Sequence, residues 1–244
     1  MKMQKATRFL LILTLAAFLG GCSTIKGWFK SKKPEKPPDV MAQEGITQLK
    51  KKKYDDAIET FEKVRDRYPY SEQAILAQIK VADAYFYKKK YDEALQAYKE
   101  FEKLHPTNKA VPYAIFHQGL CYYRQRSTID RDQTYTFKAL QEFRRLKKKY
   151  PKCEYIPKVD KYMQKCRNDL AAHEFYVGEF YFRTKHYKSA LDRFQVVAQE
   201  YPEFSKVGEA KNYINQCQEI LTHKDEKPKS GFLYNITNLF DARW

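Results

Sequence analysis

The chain has 244 residues, of which 43% are apolar and 16% aromatic, enough for a sizeable core. Only 8 glycines beside a charged fraction of 31% exclude a collagenous or low-complexity chain, argue against a barrel, and favour a helical body. The formal charge of +16 at pH 7 implies either acidic partners or a strongly solvated basic surface.

Residues 1–21 read as a cleaved export signal: Lys2, Lys5 and Arg8, then an apolar run from Phe9 to Leu19 too short to span a bilayer comfortably, then small residues. The junction Leu19-Gly20-Gly21-Cys22 resembles a bacterial lipobox, which implies that Cys22 becomes the lipidated first residue of the mature chain. Acyl chains such as palmitate, at about 0.8 kcal/mol per buried CH₂, would anchor the chain to a membrane without a spanning helix. No later stretch is apolar enough to span. Ser23, by resemblance to enterobacterial lipoproteins, allows sorting to the outer membrane. Loss of Lys2, Lys5 and Arg8 with the signal takes the charge from +16 to +13, 16 minus 3. In an exported protein, nucleic acid is excluded as a natural partner in favour of lipid head groups or an acidic protein face.

Residues 22–40 are dense in charge and broken by Gly27, Pro34, Pro37 and Pro38, so an extended tether is expected. Trp28 and Phe29 either dip into the lipid interface or are apolar residues of a loose linker.

From residue 41 one pattern recurs. Aligned on Pro69, Pro106, Pro151 and Pro202, the chain places Ala57, Ala94, Ala139 and Ala190 at one offset, Ile58, Leu95, Leu140 and Leu191 at the next, and Phe61, Tyr98, Phe143 and Phe194 three further on. Tyr91, Ala94, Leu95, Tyr98 and Phe101 fall on a single helical stripe, so each copy has a helix with one buried face. The Pro stops that helix, and Ser71 and Ser205 are placed to cap the next. A preceding helix in each copy carries Gly45, Ala82, Gly119 or Gly178 as its small crossing residue. Helix, turn and helix with small residues at the crossing resembles the tetratricopeptide repeat. It implies an all-α, right-handed superhelical solenoid of about five helix-turn-helix units, in which stacked copies build one continuous core.

Repeats one and two are expected over residues 41–110 and repeats three to five over 111–224. The third copy is lengthened by the polar run at 124–132, the fourth by extra helix around Tyr162 to Leu170, and a closing helix begins at Val207. Residues 225–244 form a tail in which Phe232, Ile236, Leu239, Phe240 and Trp244 sit near helical spacing, suited either to docking on a partner or to packing on the last repeat.

No phosphate loop, metal-protease motif or clustered Cys/His set occurs, so no enzyme activity, metal or cofactor is expected. His105 stands in for the pre-proline tyrosine, and His173 beside Glu174 makes a weak case for a dyad. Cys121, Cys153, Cys166 and Cys217 form no C-x-x-C; buried free thiols are favoured, although an oxidising compartment permits pairing.

Beyond the generic repeat, five stretches resemble the BamD family of outer-membrane protein assembly factors: RYPYS at 67–71, His105-Pro106 followed by Tyr113 and Gly119, the Asp130-Arg131-Asp132 loop, YPKCEY at 150–155, and the run from Arg167 to Phe194. The resemblance spans roughly residues 40–215, and the uneven repeat spacing shares in it. Cys153, Thr136 and the Phe-rich tail depart from the pattern. The resemblance implies a lipid-anchored protein on the periplasmic face of the outer membrane, docked on the POTRA domains of a BamA-type barrel protein beside other assembly lipoproteins. Its first repeats would receive C-terminal segments of unfolded outer-membrane proteins. Tyr68 is the matching substrate-side position, with Tyr70 and Tyr85 as further candidates, and Arg193 matches the docking side. Tyr68 also suits the end of its helix, and Arg193 a solvated charge beside Phe194. The competing reading is a periplasmic scaffold of the Tol-Pal or cell-wall division type, which would show near-uniform spacing.

Overall fold

The computed structural model describes residues 36–226. Within them lie nine helices and no strand: α1 (Pro38–Lys50), α2 (Tyr54–Arg67), α3 (Glu72–Tyr87), α4 (Tyr91–Leu104), α5 (Val111–Arg124), α6 (Thr134–Lys149), α7 (Ile156–Arg183), α8 (Tyr187–Glu200) and α9 (Val207–Glu226). Each packs chiefly on its neighbours in the chain, giving four hairpin units and a closing helix, the all-α tetratricopeptide solenoid that the repeat implies. Helix begins at Pro38, three residues inside the expected tether. Proline at the first helical position loses no hydrogen bond and brings a helical φ, Asp39 suits the positive helix end, and Met41 and Ala42 are buried at once. The signal peptide, Cys22 and most of the tether lie outside the described residues, as does the tail beyond Glu226.

The repeat positions build the core as their spacing requires. Ala57, Ala94, Ala139 and Ala190 are fully buried, as are Phe61, Tyr98, Phe143 and Phe194. The aliphatic position is less uniform, with Ile58 and Leu140 buried but Leu95 and Leu191 half-buried. The small residues of the first helices are set by contact: a Cβ on Gly45, Gly119 or Gly178 would stand 2.7, 2.5 or 2.8 Å from the ring of Phe61, Phe143 or Phe194. In the second unit Ala82 takes this place, and Tyr98 supplies a hydroxyl as well as a ring.

Both kinds of turn repeat their geometry. Tyr68, His105, Tyr150 and Tyr201, each before a proline, leave the helical basin at φ −128°, −129°, −134° and −131°. Ser71 then caps α3, its hydroxyl accepting from Ala74 N at 3.1 Å. Within units one, two and four the turn passes through Lys52, Lys89 and Lys185 at φ 60°, 64° and 61°, the left-handed region. The third unit replaces that turn with a longer loop, and there Thr136 occupies the aromatic position, buried and donating to Gln133 Oε1 at 2.8 Å.

The core falls into three clusters. The first joins α1, α2 and α3, the second runs from α3 to α7, and the third joins α7, α8 and α9. The 28-residue α7 links the last two: Val159, Cys166 and Leu170 belong to the middle cluster and Phe175 to the last. No helix among the described residues is long and apolar enough to cross a membrane.

Candidate functional site

A groove with a volume of about 560 Å³ lies over the first two units. Glu62 and Arg65 of α2 form one wall, Gln78, Val81 and Tyr85 of α3 the floor, and α4 the other wall. On α4, Glu93, Ala97, Glu100 and Leu104 recur every three or four residues, so one stripe carries both carboxylates and apolar surface. Leu104 is 54% exposed, unusual for a leucine at the edge of a core. Four carboxylates, Glu62, Asp92, Glu93 and Glu100, face one guanidinium, and that guanidinium is held by Asp66 at 2.8 Å while Lys90 reaches Glu93 at 3.2 Å. The groove is therefore acidic in a chain whose total charge is +16, with Val81 and Tyr85 beside Gln78 in its floor and carboxylates along its rim.

The three tyrosine candidates are placed differently. Tyr85 lines the groove and packs against both the first and the middle core clusters. Tyr68 is half-buried at the C-terminus of α2, where it packs on the first cluster and its hydroxyl donates to the Lys36 carbonyl at 2.9 Å. It ties the chain entering α1 to the end of α2. Tyr70 is fully exposed in the turn that follows. Glu62, Glu93 and Glu100 were not singled out from the sequence, although the stripe on α4 was there to be read. What the sequence does not show is that α2 supplies a facing wall.

Arg193 is 43% exposed on α8. Its Nη1 donates to Glu174 Oε2 on α7 at 2.9 Å, and this hydrogen bond, against partial burial, raises the guanidinium above its ordinary value. The charge is fixed in direction by its own hairpin, with its remaining donors in solvent. Glu174 is thus committed to Arg193, while the neighbouring His173 Nδ1 lies 2.6 Å from the Ile129 carbonyl in the long loop. The pair makes two structural contacts on different faces and does not converge on a common point.

Two polar networks lock the second unit to the third. Asp83, buried, accepts from Tyr98 and Tyr113 hydroxyls at 2.7 Å each and pairs with Lys80 at 2.6 Å. Arg145 donates to both Glu102 oxygens at 2.7 and 3.1 Å and to the buried Gln118 at 3.1 Å, while Gln118 donates to Glu102 at 3.0 Å. Every polar atom in these networks has a structural partner, and buried polar groups that are fully satisfied fix the register of the elements they join. His105, at the pre-proline position, has Nε2 2.7 Å from Gln78 Oε1 and so braces the groove floor. The four cysteines of the repeats are free thiols. Among the described residues no group of three or more His, Cys, Asp or Glu side chains could hold a metal ion.

A family model described as YfiO, outer membrane lipoprotein, matches residues 34–232. The outer membrane protein assembly factor BamD of Rickettsia prowazekii is 31% identical over 250 residues, covering 100% of this chain and 95% of its own length. The protein of the same description from Caulobacter vibrioides is 28% identical over 237 residues, covering 95% of this chain and 77% of its own length.

Proposed function

The chain belongs to the YfiO family of outer membrane lipoproteins, and on that premise we propose that it is a non-catalytic assembly factor for outer-membrane β-barrel proteins. In this reading Cys22 carries the lipid anchor and residues 22–37 the tether, while the solenoid works on the periplasmic side. The first two units receive C-terminal segments of unfolded barrel proteins, and the last units dock on the POTRA domains of a BamA-type partner, beside other assembly lipoproteins.

The observation that carries the reading is the groove over units one and two. Its length along α4, from Asp92 to Leu104, is about 18 Å at 1.5 Å per residue, enough for five or six residues of extended chain. Tyr85 is its aromatic contact, Tyr68 holds the end of the α2 wall, and Tyr70 is available to a longer segment. Arg193, aimed by Glu174 and still carrying free donors, is suited to a carboxylate on a partner face.

Two experiments on the lipidated chain separate the halves of this proposal. Recovery of a large outer-membrane barrel protein from detergent-solubilised envelopes should be lost with Arg193→Glu; retention would remove Arg193 from the docking surface. A photo-crosslinking residue at position 85 should capture unfolded barrel proteins, and the same residue at position 211 on α9 should not. Equal capture at both would sink the groove as the receiving site.

A further inference from the structure

A second groove has the opposite sign. It lies between α5 and the N-terminal half of α7, has a volume of about 400 Å³, and is lined by Phe116, Leu120 and Tyr162 with Lys158, Lys161 and Lys165. Its apolar floor is held firmly: Phe116 is nearly buried, stacks on Tyr155 at 5.3 Å, and stands 6.1 Å from Tyr162, which stacks in turn on Phe143 at 5.5 Å.

The three lysines are exposed and recur at i, i+3 and i+7, so they ride one stripe of α7 over roughly 10 Å. None of them makes an ion pair among the described residues, whereas Arg145 and Lys147 on the neighbouring α6 and Arg167 further along α7 are each matched to a carboxylate. Like charges three and four residues apart disfavour the helix that bears them. The stripe also exists only because α7 is 28 residues long, twice the length of its hairpin partner α8. The half-helix that breaks the repeat spacing is the one that presents these charges beside an apolar slot.

We propose that this groove is a binding site for an extended acidic polypeptide segment, which places one large apolar side chain on Phe116, Leu120 and Tyr162 and its carboxylates on Lys158, Lys161 and Lys165. Three lysines over roughly 10 Å match three or four residues of extended chain at about 3.3 Å each. The slot between two helices fits a side chain, while adhesion to an anionic bilayer would use a flat or protruding basic face. The site is distinct from the acidic groove and independent of the function proposed for that groove.

The test uses fluorescence anisotropy on the full chain with three probes: a labelled peptide alternating aspartate and phenylalanine, its lysine–phenylalanine counterpart, and labelled phosphatidylglycerol vesicles. The acidic peptide should bind, more weakly as salt rises. The triple variant Lys158→Gln, Lys161→Gln, Lys165→Gln should weaken it about tenfold or more, whereas Lys50→Gln, Lys51→Gln, Lys53→Gln, which removes the same charge from another place, should change it less than about twofold. All six positions are exposed or at a helix end, and unchanged circular-dichroism melts verify folding. The proposal is overturned if the basic peptide binds as well as the acidic one, or if the two triple variants lose affinity equally. It is also overturned if vesicle binding, and not peptide binding, depends on the α7 lysines.

Discussion

Replacing Gly119 by alanine tests the packing that the whole array relies on. An added Cβ would sit 2.5, 2.8 and 3.0 Å from three atoms of the Phe143 ring. That ring is fully buried, with Phe116 at 6.1 Å and Tyr162 stacked at 5.5 Å, so it has no free direction in which to retreat. Overpacking of this kind costs about 1–3 kcal/mol. Against it stands the gain of about 0.5–1 kcal/mol that alanine has over glycine inside a helix, leaving a net loss between about 0 and 2.5 kcal/mol, centred near 1 kcal/mol. Gly208, near the start of α9, gives the control: nothing lies within 4 Å of its added Cβ, so Gly208→Ala should gain up to about 0.5–1 kcal/mol. One chemical change at two helical sites should thus differ in sign. Urea unfolding followed at 222 nm would show the Gly119→Ala midpoint below the parent and the Gly208→Ala midpoint at or above it. Phe143→Leu made in the Gly119→Ala chain should cost less than Phe143→Leu alone, because the clash is already relieved. A Gly119→Ala midpoint at or above the parent would refute the close crossing of α5 and α6.

Lys89→Gly should stabilise the second unit by about 0.5–1 kcal/mol, because a left-handed φ of 64° strains any residue with a Cβ; a lower melting temperature would count against that turn geometry. Burial holds the His117 imidazole below its ordinary value, and Lys80 and Lys158 act in the same sense while the Tyr113 carbonyl and Asp83 oppose them. The unfolded chain therefore takes up this proton first, so stability is complete above the ordinary imidazole range near about pH 6.5 and falls as the pH drops through it. Among Tyr98, Tyr113, Phe86 and Phe116, a His117→Phe chain should lose less melting temperature between about pH 7.5 and 5.5, and an unchanged slope would exclude His117 as the source. Burial pushes the Cys121 and Cys166 thiols up to about 12, so iodoacetamide at neutral pH should leave both unmodified in the native chain while labelling them in urea, as mass spectrometry of tryptic peptides would show.

The repeat was legible because its residues report contacts that recur at a fixed offset. A glycine or alanine in one helix and a phenylalanine in the next are both demanded by one close crossing, and a proline ends the helix whatever surrounds it. Long-range polar choices carry no such period. Nothing in the sequence pairs Asp83 with Tyr98 and Tyr113, or Glu102 with Arg145 across 43 positions. The left-handed lysines were equally hidden, since Lys52, Lys89 and Lys185 stand where a glycine would have announced the turn. For the candidate site, Tyr68 and Arg193 could be named by resemblance, with Tyr85 a further candidate, but the acidic wall of α2 and the commitment of Arg193 to Glu174 depend on how neighbouring helices stack.

The polar run after Arg124, one of the two irregularities of the sequence, is anchored on α7, the helix whose extra length is the other. Arg126, the second residue past the end of α5, donates to Asp169 on α7 at 3.1 Å and lies over the Tyr123 ring at 3.9 Å. Three residues further on, the Ile129 carbonyl meets His173 of α7 at 2.6 Å. Gln133 closes the loop on itself, donating to the Thr128 and Arg131 carbonyls at 2.8 and 3.0 Å, and Asp132 accepts from Thr134 N at the start of α6 at 3.0 Å. A long α7 without the loop would leave Asp169 and His173 facing solvent above Tyr123. The loop is tied to α7 at these two points, which is how the third unit exceeds the regular spacing without breaking the stack. The extra length of α7 acts at its N-terminal end, where the added turns carry Val159 and Cys166 into the middle core and leave Lys158, Lys161 and Lys165 outside it, beside Phe116 and Leu120.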